Sequence, residues 1–154
     1  MDSHALLWGE IAALVRGLKG LNGHAIAASG LRLEPAGVHV IGRLAALGPV
    51  RLTELASALG LDPSSVSRQV TAVERAGYVR READPDDGRA IRLVLTDKGR
   101  QAAASVQQKR AQALKVLTPG WSDNDHEELA ALLGRLNHDL TANGHLLDAI
   151  LENA

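Results

Sequence analysis

The chain of 154 residues contains no cysteine and no phenylalanine. Without cysteine, disulfides, thiolate metal sites and thiol-based redox sensing are excluded. Only Trp8, Tyr78 and Trp121 are aromatic, so the core must be assembled from Leu, Val, Ile and Ala. No apolar run approaches the roughly 18 residues that cross a bilayer, and no charged-then-apolar leader opens the chain, so the protein is read as cytoplasmic with no membrane partner. Seventeen basic residues against 18 acidic ones leave a net charge of −1, which argues against a polybasic tail or a highly charged solvating chain. Also missing are a Gly-rich phosphate loop, a nucleophile elbow, a paired-carboxylate motif and HExxH. No catalytic residue, cofactor or metal site is therefore expected, and an enzyme is the weakest reading.

What is present fits one domain with a real core: 45% of residues are hydrophobic and 23% are charged. The small net charge hides a partition. Residues 102–117 carry three basic groups and no acid, whereas 118–154 carry seven acids and one base. A near-neutral chain can thus still present a basic face. Thirteen arginines against four lysines suit carboxylate and phosphate contacts, although GC-rich coding is the simpler account of that bias.

Hydrophobic spacing sets the elements. Leu7, Ile11, Leu14, Leu18 and Leu21, in steps of four and three, predict a helix over about 4–28 that packs along another helix, its end loosened by Gly20, Gly23 and Gly30. Pro35 opens a second helix through Val38, Ile41 and Leu44 to about Leu47, and Gly48-Pro49 stops it. Thr53 is the expected N-cap of a short third helix ending at Gly60. Asp62-Pro63 opens a fourth, with Val66, Val70 and Val73 facing inward and its end at Gly77. Residues 78–81 and 90–95 alternate as strands around the turn cluster 84–88. Thr96 caps a fifth helix to about Leu117. Ser122 or Asp123 starts a sixth, whose seam runs through Leu129, Leu133, Leu136, Leu140, Leu147 and Ile150 and is interrupted at Asn143.

Two short helices joined by a tight turn and followed at once by a hairpin describe a winged helix-turn-helix. The fold class is mainly α with a small β-hairpin wing (α+β). The winged unit spans 33–98, with the helix-turn-helix at 52–76 and the wing at 78–95, and helices at 4–30 and 99–152 are available for dimerisation. The chemistry lies on the outer face of the fourth helix. There Ser64, Arg68, Thr71 and Arg75 are spaced four, three and four, with Ser65 and Ser67 beside them. Short hydroxyls let a helix sink into the major groove of double-stranded DNA, and arginine can grip guanine bidentately. An ordinary solvated face would hold Glu and Lys instead. At the hairpin tip, Asp87-Gly88-Arg89 presents an arginine to the minor groove, with Asp87 placed to hold that guanidinium. A winged-helix module for protein contacts is the competing reading. It predicts apolar or acidic groups on the recognition face, which the Ser/Arg/Thr stripe does not supply.

Residues 52–99, LTELASALGLDPSSVSRQVTAVERAGYVRREADPDDGRAIRLVLTDKG, resemble the multiple-antibiotic-resistance-regulator (MarR) family. The resemblance is carried by VSR…VE…GYV in the recognition helix, by DGR at the wing, and by LT..G at the entry to the fifth helix. It implies a triangular homodimer joined by its terminal helices. Ser64, Ser65, Ser67, Arg68 and Thr71 would meet the major groove and Arg89 the minor groove of a pseudo-palindrome. It also implies a ligand-responsive repressor. Members often carry an aromatic about where Val38 stands, and oxidation-sensing members use cysteine, so this chain departs on both counts.

Other residues are weighed against that frame. Trp8 is dimer-core filler or the wall of an effector pocket. Val38 and His39 on the second helix are the other candidates for that pocket, with an aromatic acid as one candidate effector. Trp121 reads as a packing anchor. His126, His138 and His145 lack metal-ligand spacing. Asp123, Asp125, Glu127 and Glu128 suit the positive end of a helix dipole.

Overall fold

Proline, glycine and short polar caps set most of the boundaries. The computed structural model describes residues 2–144, in the order α1 (Ser3–Ala28), α2 (Pro35–Leu47), β1 (Val50–Arg51), α3 (Leu52–Leu59), α4 (Pro63–Arg75), β2 (Val79–Ala83), β3 (Ile91–Leu95), α5 (Asp97–Leu117) and α6 (Asp123–Asn143). The chain divides into two compact units, 1–114 and 115–154, the boundary falling in the last turn of α5. No helix among the described residues is long and apolar enough to cross a membrane.

In the first unit the expected winged helix-turn-helix is present. One core draws Val40, Ile41 and Leu44 from α2, Leu55 and Ala56 from α3, Val66, Val70 and Val73 from α4, and Val79, Leu93 and Leu95 from the sheet. The three valines of α4 are fully buried, as their spacing requires. The turn between α3 and α4 depends on Gly60, whose φ of 64° is left-handed and closes α3. A smaller cluster of Ile26, Val38 and Val106 joins α1, α2 and α5.

Four local expectations are corrected. The wing is not a bare hairpin: β1 pairs antiparallel with β3, Val50 opposite Leu93, giving the sheet order β1-β3-β2. Thr53 does not cap α3; the helix begins at Leu52, Arg51 takes the N-cap position, and its N–H donates to the Glu54 carboxylate at 2.7 Å. Helix α4 ends at Arg75, two residues short of Gly77. Gly20 and Gly23 do not interrupt α1, which continues to Ala28, since hydrogen bonds through a helix tolerate isolated glycine at about 1 kcal/mol each. Elsewhere the caps match: Asp62 accepts the Ser65 N–H at 2.9 Å, Thr96 Oγ1 accepts the Gly99 N–H at 3.1 Å, and Ser122 Oγ accepts the Asp125 N–H at 3.2 Å.

The long apolar seams are not buried within one chain. On α1, Leu7, Leu14 and Leu18 are 50%, 43% and 44% exposed. Helix α6 has no buried residue among those described, and Leu129 and Leu140 are exposed. Trp121 is exposed and lies with its ring centroid 5.6 Å from that of His126, whose Nε2 is 2.9 Å from Thr118 Oγ1. His145, Leu147 and Ile150, and the part of the expected dimerisation segment beyond 144, lie outside the described residues. Among the described residues no cluster of His, Asp or Glu could hold a metal ion.

Candidate nucleic-acid interface

Helix α4 presents two different faces. Opposite the buried valines, Ser64, Arg68 and Arg75 are exposed, and Ser65, Ser67 and Thr71 are half-buried. The N-terminal turn is closely organised. Asp62 accepts the Ser64 hydroxyl and the Ser65 N–H, and these bonds, the Ser64 hydroxyl foremost, hold its carboxyl well below the usual carboxylate range. Ser64 thereby spends its hydroxyl proton on the cap but keeps its acceptor capacity. Thr71 donates its hydroxyl to the Ser67 carbonyl at 2.9 Å, so what it offers outward is chiefly its methyl group.

The arginines of residues 49–101 fall into two sets. Arg51, Arg80, Arg81, Arg92 and Arg100 each form an ion pair, with Asp84, Glu82, Glu74, Glu82 and Asp97 respectively. Arg68, Arg75 and Arg89 form none among the described residues, and all three are exposed. Uncompensated guanidiniums on the outer face of a recognition helix and at a wing tip are what a polyanion would meet.

At the wing, one expectation is corrected. Asp87 does not hold the Arg89 guanidinium: its Oδ1 accepts the Arg89 backbone N–H at 3.2 Å, and its Oδ2 lies 3.7 Å from Arg51 Nη2. The wing is instead anchored from β1, where Arg51 Nε donates to Asp84 Oδ2 at 2.9 Å. The Asp84 carboxyl is held below its ordinary value by the Asp86 N–H and then by Arg51. Along the hairpin, Glu82 sits opposite Arg92 and accepts both its Nε (2.8 Å) and Nη2 (2.6 Å), with Arg80 on the other carboxylate oxygen. Sequence reasoning missed Arg51 and Asp84. The Asp84-Pro85-Asp86 turn was a visible signal for the second, whereas nothing local marks Arg51, whose partner is 33 residues away.

A family model described as the MarR family matches residues 33–91. The HTH-type transcriptional regulator YxaD of Bacillus subtilis strain 168 is 35% identical over 105 residues, covering 68% of this chain and 73% of that relative. The chain belongs to the MarR family. PecS of Dickeya dadantii, another HTH-type transcriptional regulator, is 26% identical over 91 residues, 59% of this chain and 55% of PecS. In fold the chain is similar to apo MarR from E. coli, with a TM-score of 0.66, 22% identity, and coverage of 83% of this chain and 94% of that one. It is similar also to RV1404 from Mycobacterium tuberculosis, with a TM-score of 0.72, 22% identity, and coverage of 90% and 94%.

Beyond the winged unit shared by the family, the first unit holds an open cleft of about 1020 Å³ between α2, α3 and α5. Val38 and His39 line it, as expected, although Val38 is buried behind its surface. Trp8 does not line it; it stands 71% exposed near the start of α1. The cleft contains no Phe, Tyr or Trp, so an aromatic acid would find no stacking face there except the His39 ring.

Proposed function

We propose that the protein is a homodimeric, sequence-specific regulator of transcription that binds a pseudo-palindromic operator in double-stranded DNA as a ligand-responsive repressor. Its activity is binding, not catalysis, and it works in the cytoplasm where the operator lies. Helix α4 enters the major groove: Arg68 reads base edges with Ser64, Ser65, Ser67 and the Thr71 methyl beside it, and Arg75 meets the backbone. Arg89 enters the minor groove from a wing held in place by Arg51, Asp84 and Asp87. The observation that carries this reading is that Arg68, Arg75 and Arg89 lack ion pairs, while every other arginine of residues 49–101 has one. The exposed seams of α1 and α6 support the dimer, since a second copy supplies the apolar surface that one chain lacks. Stable interfaces of this kind bury about 2,000 Å² or more. The two recognition helices then meet half-sites about 34 Å apart, and a small effector that binds the two head spacings unequally releases DNA.

Selecting bound fragments from random DNA, followed by gel shift across a salt series, tests the reading. Six unpaired guanidiniums per dimer predict a loss of up to about 10³-fold in affinity between 50 and 200 mM salt. Light scattering should give twice the 16.3 kDa chain mass. A clean monomer, or selected fragments without two-fold symmetry, rejects it.

A further inference from the structure

The cleft between α2, α3 and α5 has an unusual charge inventory. Arg43, Arg100, Arg110 and His39 line it and no Asp or Glu does, while the rest of the wall is mostly Ala, Gly and Leu. His39 and Arg43 are one helical turn apart on α2, so both face the same space. Arg43 forms no ion pair among the described residues. Arg100 is engaged by the Leu95 carbonyl and by Asp97.

Arg110 is held differently. Its Nε and Nη2 both donate to Asn22 Oδ1 on α1, at 2.9 and 2.5 Å. Because a guanidinium only donates, the Asn22 amide must turn its oxygen to Arg110 and its nitrogen to the other side. That nitrogen lies 3.1 Å from His39 Nε2, which must therefore accept, leaving the ring proton on Nδ1. A single amide thus ties α1, α2 and α5 together. A half-buried guanidinium whose partner is a neutral amide is under-matched, since a carboxylate bonds it roughly twice as strongly.

We propose that this cleft binds a small carboxylate with an aliphatic body, and that Arg110 takes the carboxylate in exchange for the Asn22 amide oxygen. The methyl and methylene walls take the aliphatic part, and Arg43 supplies a second positive charge at the mouth. The exchange releases α1 from α5, which is the coupling a ligand-responsive regulator requires. The proposal rests on that reading for its consequence but not for the site itself.

The test titrates the full-length protein calorimetrically with straight-chain monocarboxylates from butyrate to decanoate and with their primary amides. At least one carboxylate should bind about tenfold or more tightly than its amide. Arg110→Gln should erase that preference, whereas Asn22→Ala, which removes the internal competitor, should strengthen carboxylate binding several-fold. Circular dichroism checks that both variants keep the fold, and Arg43→Gln provides a second site variant that should weaken binding without abolishing the preference. Equal binding of acid and amide, no binding up to millimolar concentration, or unchanged affinity in Asn22→Ala overturns the proposal. DNA release is read separately in the same titrations. Arg110-dependent binding without release upholds the site and rejects the ligand-responsive function.

Discussion

Gly99 offers a perturbation for which two physical effects predict opposite signs. It is buried as the third residue of α5, and a glycine inside a helix ordinarily weakens it, so alanine would be expected to stabilise by about 0.5–1 kcal/mol. Here, however, a Cβ would lie 2.1 Å from the Tyr78 carbonyl oxygen and 3.0 Å from Leu95 Cδ2. The leucine can turn aside. The carbonyl cannot move freely, because it accepts the Thr96 N–H at 3.0 Å where the sheet is joined to α5. Overpacking of this kind typically costs about 1–3 kcal/mol, and a backbone atom as the obstacle places Gly99→Ala at the upper end. Subtracting the helix gain leaves a net loss of about 2 kcal/mol, or a Tm lowered by about 4–8 °C in a chain of this length. Thermal unfolding at matched protein concentration measures it. Gly42→Ala serves as the control: that residue is in mid-α2 and nothing lies within 4 Å of its built Cβ, so its Tm should rise. A Gly99→Ala protein that melts at or above wild type would refute the packing argument.

Arg68→Ala should lower affinity and also flatten sequence preference, by about 1–3 kcal/mol at the contacted base pair. An unchanged ratio of operator to random-DNA binding would reduce it to a phosphate contact. Arg75→Ala should weaken all sequences alike and reduce the salt slope by about one. If Arg51 acts by holding the wing that carries Arg89, Arg51→Ala should weaken DNA binding in the wild-type background and add little in Arg89→Ala. Additive losses would make Arg51 a DNA contact in its own right. Asp62, whose carboxyl is held below the usual range, stabilises the fold at neutral pH, and that stabilisation is lost as pH falls through and below the ordinary aspartate value of about 3.9. Asp62→Ala should therefore lose less stability than wild type between neutral pH and about pH 3 in urea titrations; an equal loss would show that the cap does not hold that carboxyl ionised.

The elements legible in the sequence were those whose signals are local. Val66, Val70 and Val73 at helical spacing, opened by Asp62-Pro63, located α4 and both of its faces, because a period of 3.6 assigns every residue of a helix to a side. Strand β1 was illegible for the converse reason. Two residues carry no periodicity, and Val50 becomes a strand only by pairing with Leu93, far along the chain. Arg51 follows from it: once β1 pairs with β3, Arg51 is brought within reach of Asp84 and Asp87 and draws Asp87 away from the neighbour that sequence proximity suggested.

The same distinction separates the binding surfaces. A recognition face on one helix can be read from consecutive residues, and its members fell where expected. A cleft lined by α2 and α5, with Asn22 of α1 behind it, has no contiguous signature, and only His39 and Val38 pointed toward it. Arginine content is the clearest case of all. Thirteen arginines in a chain of net charge −1 have no functional meaning as a count. Cross-strand register neutralises Arg92 with Glu82, and helix-to-strand packing neutralises Arg81 with Glu74. Each such pairing subtracts an arginine from the charge available to a polyanion. Arg68, Arg75 and Arg89 are left with their charge uncompensated because the fold places no carboxylate beside them, and it is this selective neutralisation that makes a near-neutral chain present a cationic edge.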